Sequence, residues 1–495
     1  VNDETGEPTP VRLRLAARDG TYLPPFGRLA DFPTGLGEEV GGQVQVGKQK
    51  FAYIDGTCEV ALPEDTITVD VSKGPEYRPL HQQLTLGEGQ LTIRLDLERW
   101  ADLRPQGWYA GDVWSHCLSP QAALLEGAAE GLAVVNLLAM QLETGETNPL
   151  RHPALGAILE FSGQKPAVEG AGCAVVVNTL NLGGPLDRLI LLNCHRAVYP
   201  LSIGPVIDWA LADWCDQCHR KAGLVLWPHA QAFRYHADGP PSGGEALADL
   251  VLGKIDGLAV DKLGNYPLLP IDHWYPLLNS GFRVPITGGS AKLSNRTVLG
   301  SVRTYAQLKP DEAFSYTAWI EAIRAGRTFV TNGPLVTFTV DGQGPGAVLS
   351  LPTDRKKIHV RAEARSLTPF ERLEIVHNGE ALAAAEASGS PTTATLEGDL
   401  ELPATGWLAA RCRESVHSLT GTIQPSSAHT SPIYVEREGE PFRADMISVT
   451  HLLEHLDHTL TWAEAPGRFA TDKLRDQVIT TLRAASEELF RRIPQ

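Results

Sequence analysis

From Val11 to about Leu97, apolar and polar positions alternate in short runs such as "VRLRLAARDG", "GQVQVGKQKFAYIDGTCEVALPEDTITVDVSKG" and "GQLTIRLDLE". A period of two, broken by Gly, Pro and Asp-Gly turns, predicts an antiparallel β-sandwich over residues 1–100. Between 105 and 300 the rhythm changes to buried apolar runs ("GLAVVNLLAM", "GCAVVVN", "LILLN", "LVLWPH", "IDGLAV") separated by the helical stretches "VIDWALADWCDQCHRKAG" and "GEALADLVLGK". That pattern predicts parallel strands with crossover helices, an α/β barrel or layered α/β domain. Ligands of such domains sit beyond the carboxyl ends of the strands, where "WSH" and "WPH" fall. A second β-sandwich follows over 301–440, interrupted by a helix at "DEAFSYTAWIEAIRAG", and a helical pair with a 3.6-residue period fills 441–495.

The 495 residues suit several domains, and 43% hydrophobic with 21% charged residues is a globular balance. Net charge is −16, from 43 basic and 59 acidic residues, with no basic block for a nucleic-acid backbone. Nucleic acid is therefore not expected as a partner, and no apolar run is long enough to predict a transmembrane segment. The seven cysteines, Cys58, Cys117, Cys173, Cys194, Cys215, Cys218 and Cys412, are too scattered for a disulfide framework, and their odd number leaves at least one thiol unpaired. The chain opens at Val1 on polar "VNDETGEPTP" without a charged-then-apolar leader. A processed, exported protein, periplasmic or extracellular, is expected rather than a cytoplasmic one.

The phrases "GWYAGDVWSH", "PHAQAF", "GEALADLVLGKIDGLAV", "WYPLLNSGFRVPITGGS", "LGSVRTYAQL" and "AIRAGRTFVTNGPLVTFTVDGQGPG" together resemble the CehA/McbA branch of the PHP superfamily of metallohydrolases, over nearly the whole chain. The resemblance implies a multi-domain α/β plus all-β fold: a PHP-like α/β barrel-type domain flanked by two β-sandwiches and a C-terminal helical pair. It also implies two or three divalent metals, Zn, Mn or Fe, held by His, Asp and Glu at strand ends and activating water against an ester, carbamate or phosphoester.

Motif by motif, most of those ligands do not match. Where the family has "GD-x-H-x-H", this chain has Gly111, Asp112, Val113, Trp114, Ser115 and His116. The next strand ends in Leu138, Ala139 and Met140 rather than "TDH", and the middle strands offer Asn178, Asn181, Asp187 and Arg188. Pro228 and His229 keep the later "PH", whereas Ser290 is followed by Ala291 and Lys292 where a carboxylate is expected. An alanine cannot bind metal, and the lysine is expected to add positive charge at the site. The metal candidates are then His116 and His229, and the residual pocket is Asp112, Trp114, His116, His229 and Glu245. No catalytic residue is assigned. The implied function is a pseudoenzyme serving as a binding or scaffolding subunit, without cofactor, with a protein partner or a second copy of itself. The alternative is a hydrolase with a reduced metal site.

Three other constellations carry chemistry of their own. "CDQCH" matches the C-x-x-C-H of c-type haem attachment through Cys215, Cys218 and His219. Its other interpretation is two helix thiols and a surface imidazole. "HLLEH", from His451 to His455 with His458 beyond, has the spacing of an inverted zinc peptidase motif on what otherwise reads as a solvated helix face. Cys194 and His195 are adjacent on a predicted strand and point to opposite faces, so they cannot form a nucleophilic pair. Aromatics at Trp108, Tyr109, Trp114, Trp227, Phe233, Tyr235, Trp274 and Tyr275 are expected around the strand ends, lining a pocket or filling it.

Overall fold

The computed structural model describes residues 1, 5–34, 41–87, 89, 92–141, 161–204, 206–228, 243–261, 263, 270–414 and 426–493. Five strands open it: β1 (Val11–Ala17), β2 (Gln43–Val46), β3 (Gln49–Ile54), β4 (Thr66–Ser72) and β5 (Leu80–Thr85), paired antiparallel in the order β2-β3-β1-β4-β5. Alternation along β1 and β4 puts Leu13, Leu15, Ile67, Val69 and Val71 in one core, which Leu23, Val60, Leu62, Ile93, Leu95 and Leu97 cover. Among the described residues this is one sheet under extended chain, where the pattern predicted two facing sheets. Among the described residues, the runs beyond Thr85 supply apolar side chains but only isolated bridges, such as that of Arg99 with Tyr77.

A second sheet begins with β6 (Trp108–Ser115), β7 (Val134–Ala139), β8 (Val168–Gly170), β9 (Cys173–Leu182), β10 (Arg188–Leu192), β11 (Leu224–Pro228), β12 (Gly257–Val260) and β13 (Ile286–Gly288). Strands β6, β7 and β9 run parallel, as do β11, β12 and β13, but β10 is antiparallel to both β9 and β11. The expected all-parallel order fails there because the link from Leu182 to Arg188 is too short for a crossover. It folds instead as a tight turn, with Gly184 at φ 54 and Asp187 at φ 92. Short β8 pairs along β9. After β13 the chain returns to β6: Ala291 N donates to the Trp114 carbonyl at 2.8 Å and His116 N to the Lys292 carbonyl at 2.9 Å. The sheet thereby closes on itself through β6, β7, β9, β10, β11, β12 and β13.

Helices α1 (Pro120–Ala129), α2 (Leu211–Arg220), α3 (Gly244–Val251) and α4 (Pro270–Asn279) connect these strands. Ser119 caps α1 by accepting from Ala122 N, with Pro120 at the first helical position. Strands β14 (Arg303–Gln307) and β15 (Thr328–Thr331), joined by α5 (Tyr316–Arg324), extend the sheet from the first half of β6. Then β16 (Leu335–Val340), β18 (Lys357–Ser366) and β21 (Thr392–Glu401) form a three-stranded layer. It packs on β17 (Val348–Leu351), β19 (Phe370–His377), β20 (Glu380–Glu386), β22 (Gly406–Glu414), β23 (Ala428–Thr430) and β24 (Ile433–Arg437), with Phe338, Ile358 and Val360 in the same core as Leu373, Ile375 and Leu408. Pairing of β15 with β23 makes this layer continuous with the barrel.

Helices α6 (Met446–Glu464) and α7 (Asp472–Arg492) lie against α3 and α4, with Val449, Leu452, Leu456, Val478, Leu482 and Leu489 buried beside Leu247, Leu250 and Leu277. Asp445 and Thr471 cap their amino ends. The whole is a mixed α/β structure dominated by β-sheet. No described helix is long and apolar enough to cross a membrane.

Candidate functional site

Strand β6 divides its pairing. Its first half, Trp108 to Gly111, pairs with β14, and its last residues pair with the segment that returns from β13. Asp112 stands at the change-over, fully buried. Its Oδ1 accepts from the amides of Trp114 at 2.8 Å and Ser290 at 3.0 Å, and its Oδ2 from the Ser290 hydroxyl at 2.5 Å and the Gly300 amide at 2.9 Å. Burial raises its pKa to about 6 against the opposing effect of those donors. Asp112 therefore staples the barrel seam, and its lone pairs are committed.

Alternation along β7 sends Val134, Leu138 and Met140 into the barrel interior and Val135, Leu137 and Ala139 outward. Trp114 joins the inner set. Its indole Nε1–H donates to Nε2 of His116 at 2.7 Å, and the His116 Nδ1–H donates to the Leu138 carbonyl at 3.0 Å. Both ring nitrogens are thus used in a neutral imidazole. Burial depresses the His116 pKa to about 4. Deeper in, Tyr316 OH donates to Asn136 Oδ1 at 2.8 Å, Asn178 Nδ2 donates to the same oxygen at 2.9 Å, and Asn136 Nδ2 donates to the Asp112 carbonyl at 3.0 Å. A neutral amide and phenol network occupies the barrel axis. None of its members except Asn178 was singled out by the motifs.

Helix α5 plugs the other end of the barrel. Trp319 Nε1 donates to the Tyr109 carbonyl at 3.1 Å, and Arg324 reaches the Gly223 carbonyl at 3.0 Å and Asp256 at 3.5 Å, all at the amino ends of β6, β11 and β12. Gly111 makes room for it, since a Cβ there would lie 2.4 Å from the Trp319 ring. Substituting Gly111→Ala is expected to cost about 1–3 kcal/mol through overpacking, read as a lower urea midpoint with an unchanged slope.

The remaining candidates do not converge on His116. Glu245, expected from the sequence in the residual pocket, lies in the first turn of α3 and caps α2: its Oε2 accepts from Leu211 N at 2.8 Å and its Oε1 from Ala212 N at 3.4 Å. The helix needs it because Ala210, at the capping position, has no side-chain oxygen to offer. Burial raises the Glu245 pKa to about 7. One turn on, the Asp249 carboxyl is fully buried with no hydrogen-bond partner among the described residues, and burial followed by the Glu245 charge pushes its pKa well up.

Lys292 does not bring charge to the barrel mouth either. It is buried, and its Nζ donates to the carbonyls of Thr297 at 2.7 Å and Ser294 at 3.2 Å and lies 3.4 Å from Glu126 on α1. His229, Phe233 and Tyr235 lie outside the described residues. Asp261, at the end of β12, is a half-buried carboxylate that no motif had pointed to. Among the described residues, no three His, Cys, Asp or Glu side chains form a group that could hold a metal ion. With the His116 ring and the Asp112 carboxylate both engaged, the described donor set does not fit Zn, Mn or Fe.

Haem fits no better. Cys215 and Cys218 are fully buried in the core between α2 and the sheet, and His219 donates from Nε2 to Asp256 at 3.0 Å. Thioether attachment needs thiols that a porphyrin edge can reach. The aromatic set is dispersed rather than gathered: Trp108 packs on Phe329 outside the barrel, Trp227 donates to Asp187, Trp274 to the Val284 carbonyl and Tyr275 to His429. Of the six that are described, Trp114 is the one in the inner cluster, with Tyr109 at its edge, stacked on Phe314. In "HLLEH", His455 is buried and stands edge-on to half-buried His451, whereas His458 is exposed, so that helix face is packed at His455 and solvated at His458.

No protein-family model and no curated protein matches the chain. Two solved structures overlap it in part. One is a two-domain protein from Bacteroides vulgatus containing a predicted PHP-like metal-dependent phosphoesterase, 11% identical, with 61% of this chain and 90% of that one covered at a TM-score of 0.34. The other is PsfC from Pseudomonas syringae, 13% identical, with 43% of this chain and 88% of that one covered at a TM-score of 0.28. Similarity this shallow assigns neither a family nor an activity.

Proposed function

We propose that the protein is a pseudoenzyme: a barrel-type fold resembling the PHP metallohydrolases of the CehA/McbA kind, its interior given over to packing, serving as a binding or scaffolding subunit. The observation that carries this is the Trp114–His116 hydrogen bond. It puts an indole where the resemblance calls for a second imidazole, and it uses the lone pair a metal would need. Asp112, held by four donors, and the neutral Asn136–Asn178–Tyr316 network support the same account, since catalytic zinc uses at least three protein ligands.

A binding role is supported by large apolar side chains left in solvent. Ile447 is 81% exposed at the start of α6 and Phe490 60% exposed near the end of α7, at the same end of that hairpin, and Phe26 is 66% exposed beside the first sheet. A protein partner or a second copy of the chain suits such surfaces, and an exported location remains part of the proposal. The test is hydrolysis of chromogenic phosphomonoester, phosphodiester, carboxylic ester and carbamate substrates with Zn²⁺, Mn²⁺ or Fe²⁺ supplied. Turnover no higher than that of a His116→Ala variant is expected. Saturable hydrolysis abolished by that substitution would favour the reduced-site hydrolase instead.

A further inference from the structure

Cys194 and Cys218 meet in the core between the barrel wall and α2. Their Sγ atoms are 3.3 Å apart and both side chains are buried. Cys194 follows β10 in a bend where Asn193 has φ 60, and Cys218 lies in the last turn of α2. Three hydrogen bonds hold the two segments together: the amide and Nδ1 of His195 both donate to the Lys221 carbonyl, at 3.2 and 3.1 Å, and Asn193 Nδ2 donates to the Ala222 carbonyl at 3.0 Å. Gly223 leaves the space the sulfurs occupy, because a Cβ there would lie 2.4 Å from each of them. Cys215, one turn earlier on α2, is buried nearby, yet the sulfur that Cys218 touches is that of Cys194.

We infer that Cys194 and Cys218 are a disulfide-forming pair, a covalent tie between the end of β10 and α2 that closes when the chain meets a low-molecular-weight disulfide. One of the two thiolates attacks one sulfur of the small disulfide and releases one small thiol. The other thiolate then attacks the protein sulfur of that mixed disulfide and releases the second. In balance, two protein thiols lose two protons and two electrons, one S–S bond forms, and the small disulfide is reduced to two thiols. The sulfurs need to close from 3.3 Å to a bond length of about 2.05 Å. The tie spans 24 positions of chain, so it acts largely by restricting the unfolded state. The same arrangement gives Cys218 of the C-x-x-C motif a role without haem, its thiol being turned to Cys194 at the barrel wall.

The experiment refolds the full chain from denaturant in a glutathione redox buffer, which removes any barrier of access to buried thiols. Free thiols are then trapped with iodoacetamide in denaturant, and the protein is mapped by mass spectrometry. Protein purified without reductant is trapped and mapped in parallel. The expected result is a cross-linked peptide pair containing Cys194 and Cys218 with Cys215 alkylated, together with a urea midpoint that falls on reduction. Cys194→Ser should abolish both the cross-link and the shift, and Cys215→Ser should retain them. Recovery of Cys194 and Cys218 as alkylated thiols under oxidising buffer, or a Cys215–Cys218 bond in their place, overturns the inference.

Discussion

Truncating Trp114 to alanine is expected to lower the unfolding free energy by about 3–5 kcal/mol, the cost of emptying a buried aromatic site. The ring lies in the inner cluster with Val113, Leu138, Met140 and Val176, and its indole proton is the partner of His116 Nε2. Trp114→Phe separates the two effects: it keeps most of the volume but loses the donor, so about 1–3 kcal/mol is expected from the unsatisfied imidazole nitrogen. The pH dependence carries a second signature. His116 titrates near 4 in the fold and near 6.5 when unfolded. Its stabilisation is present above pH 6.5 and is lost as pH falls through 4, a contribution of about 3 kcal/mol. In Trp114→Ala, water reaching the vacated space should restore the imidazole toward its ordinary pKa and flatten that acid limb. Urea titrations between pH 4 and 8 measure both quantities. A Trp114→Ala protein as stable as wild type would show that the ring does not fill the barrel.

Glu245 tilts stability the other way. Its folded pKa is raised from 4.5 to about 7, so the contribution of this group is fully present below about pH 4.5 and is lost as pH rises through 7. Glu245→Gln keeps an acceptor for α2 and cannot ionise. Its stability relative to wild type is therefore expected to climb by about 3 kcal/mol between pH 4 and pH 8. Glu245→Ala leaves the Leu211 and Ala212 amides without an acceptor and is expected to cost about 2–4 kcal/mol at pH 5. A carboxylate that served as a metal ligand would behave differently, because both substitutions would release metal while α2 stayed intact. Circular dichroism of the variants with metal analysis alongside distinguishes the two roles.

How far the chain announces this structure depends on the range of the interactions. Period-two alternation marked β1 and β4, and the apolar runs marked β7, β9, β10, β11 and β12, because burial on one or both faces is written locally. The replacement of a ligand by Trp114 was equally legible, since it needs only the neighbouring "GD" and His116. Strand direction was not: β10 runs antiparallel because of the length of one turn, which hydrophobic pattern does not encode. Nor was the role of Glu245, whose partners are backbone amides 34 and 33 positions earlier and have no residue type to recognise. The Asn136–Tyr316 contact spans 180 positions and the Asn178–Tyr316 contact 138. Lys292 looked like a charge at the site until the partner Glu126, far off in sequence, drew it out of the barrel.

The barrel-interior groups Asp112, His116, Asn136, Asn178 and Tyr316 are already satisfied by protein. The most direct test is elemental analysis of the purified protein after incubation with Zn²⁺, Mn²⁺ or Fe²⁺ and desalting, with the His116→Ala variant treated identically. Substoichiometric metal, the same in both proteins, is the predicted result. A full equivalent of metal in the wild type that disappears on replacing His116 would contradict it.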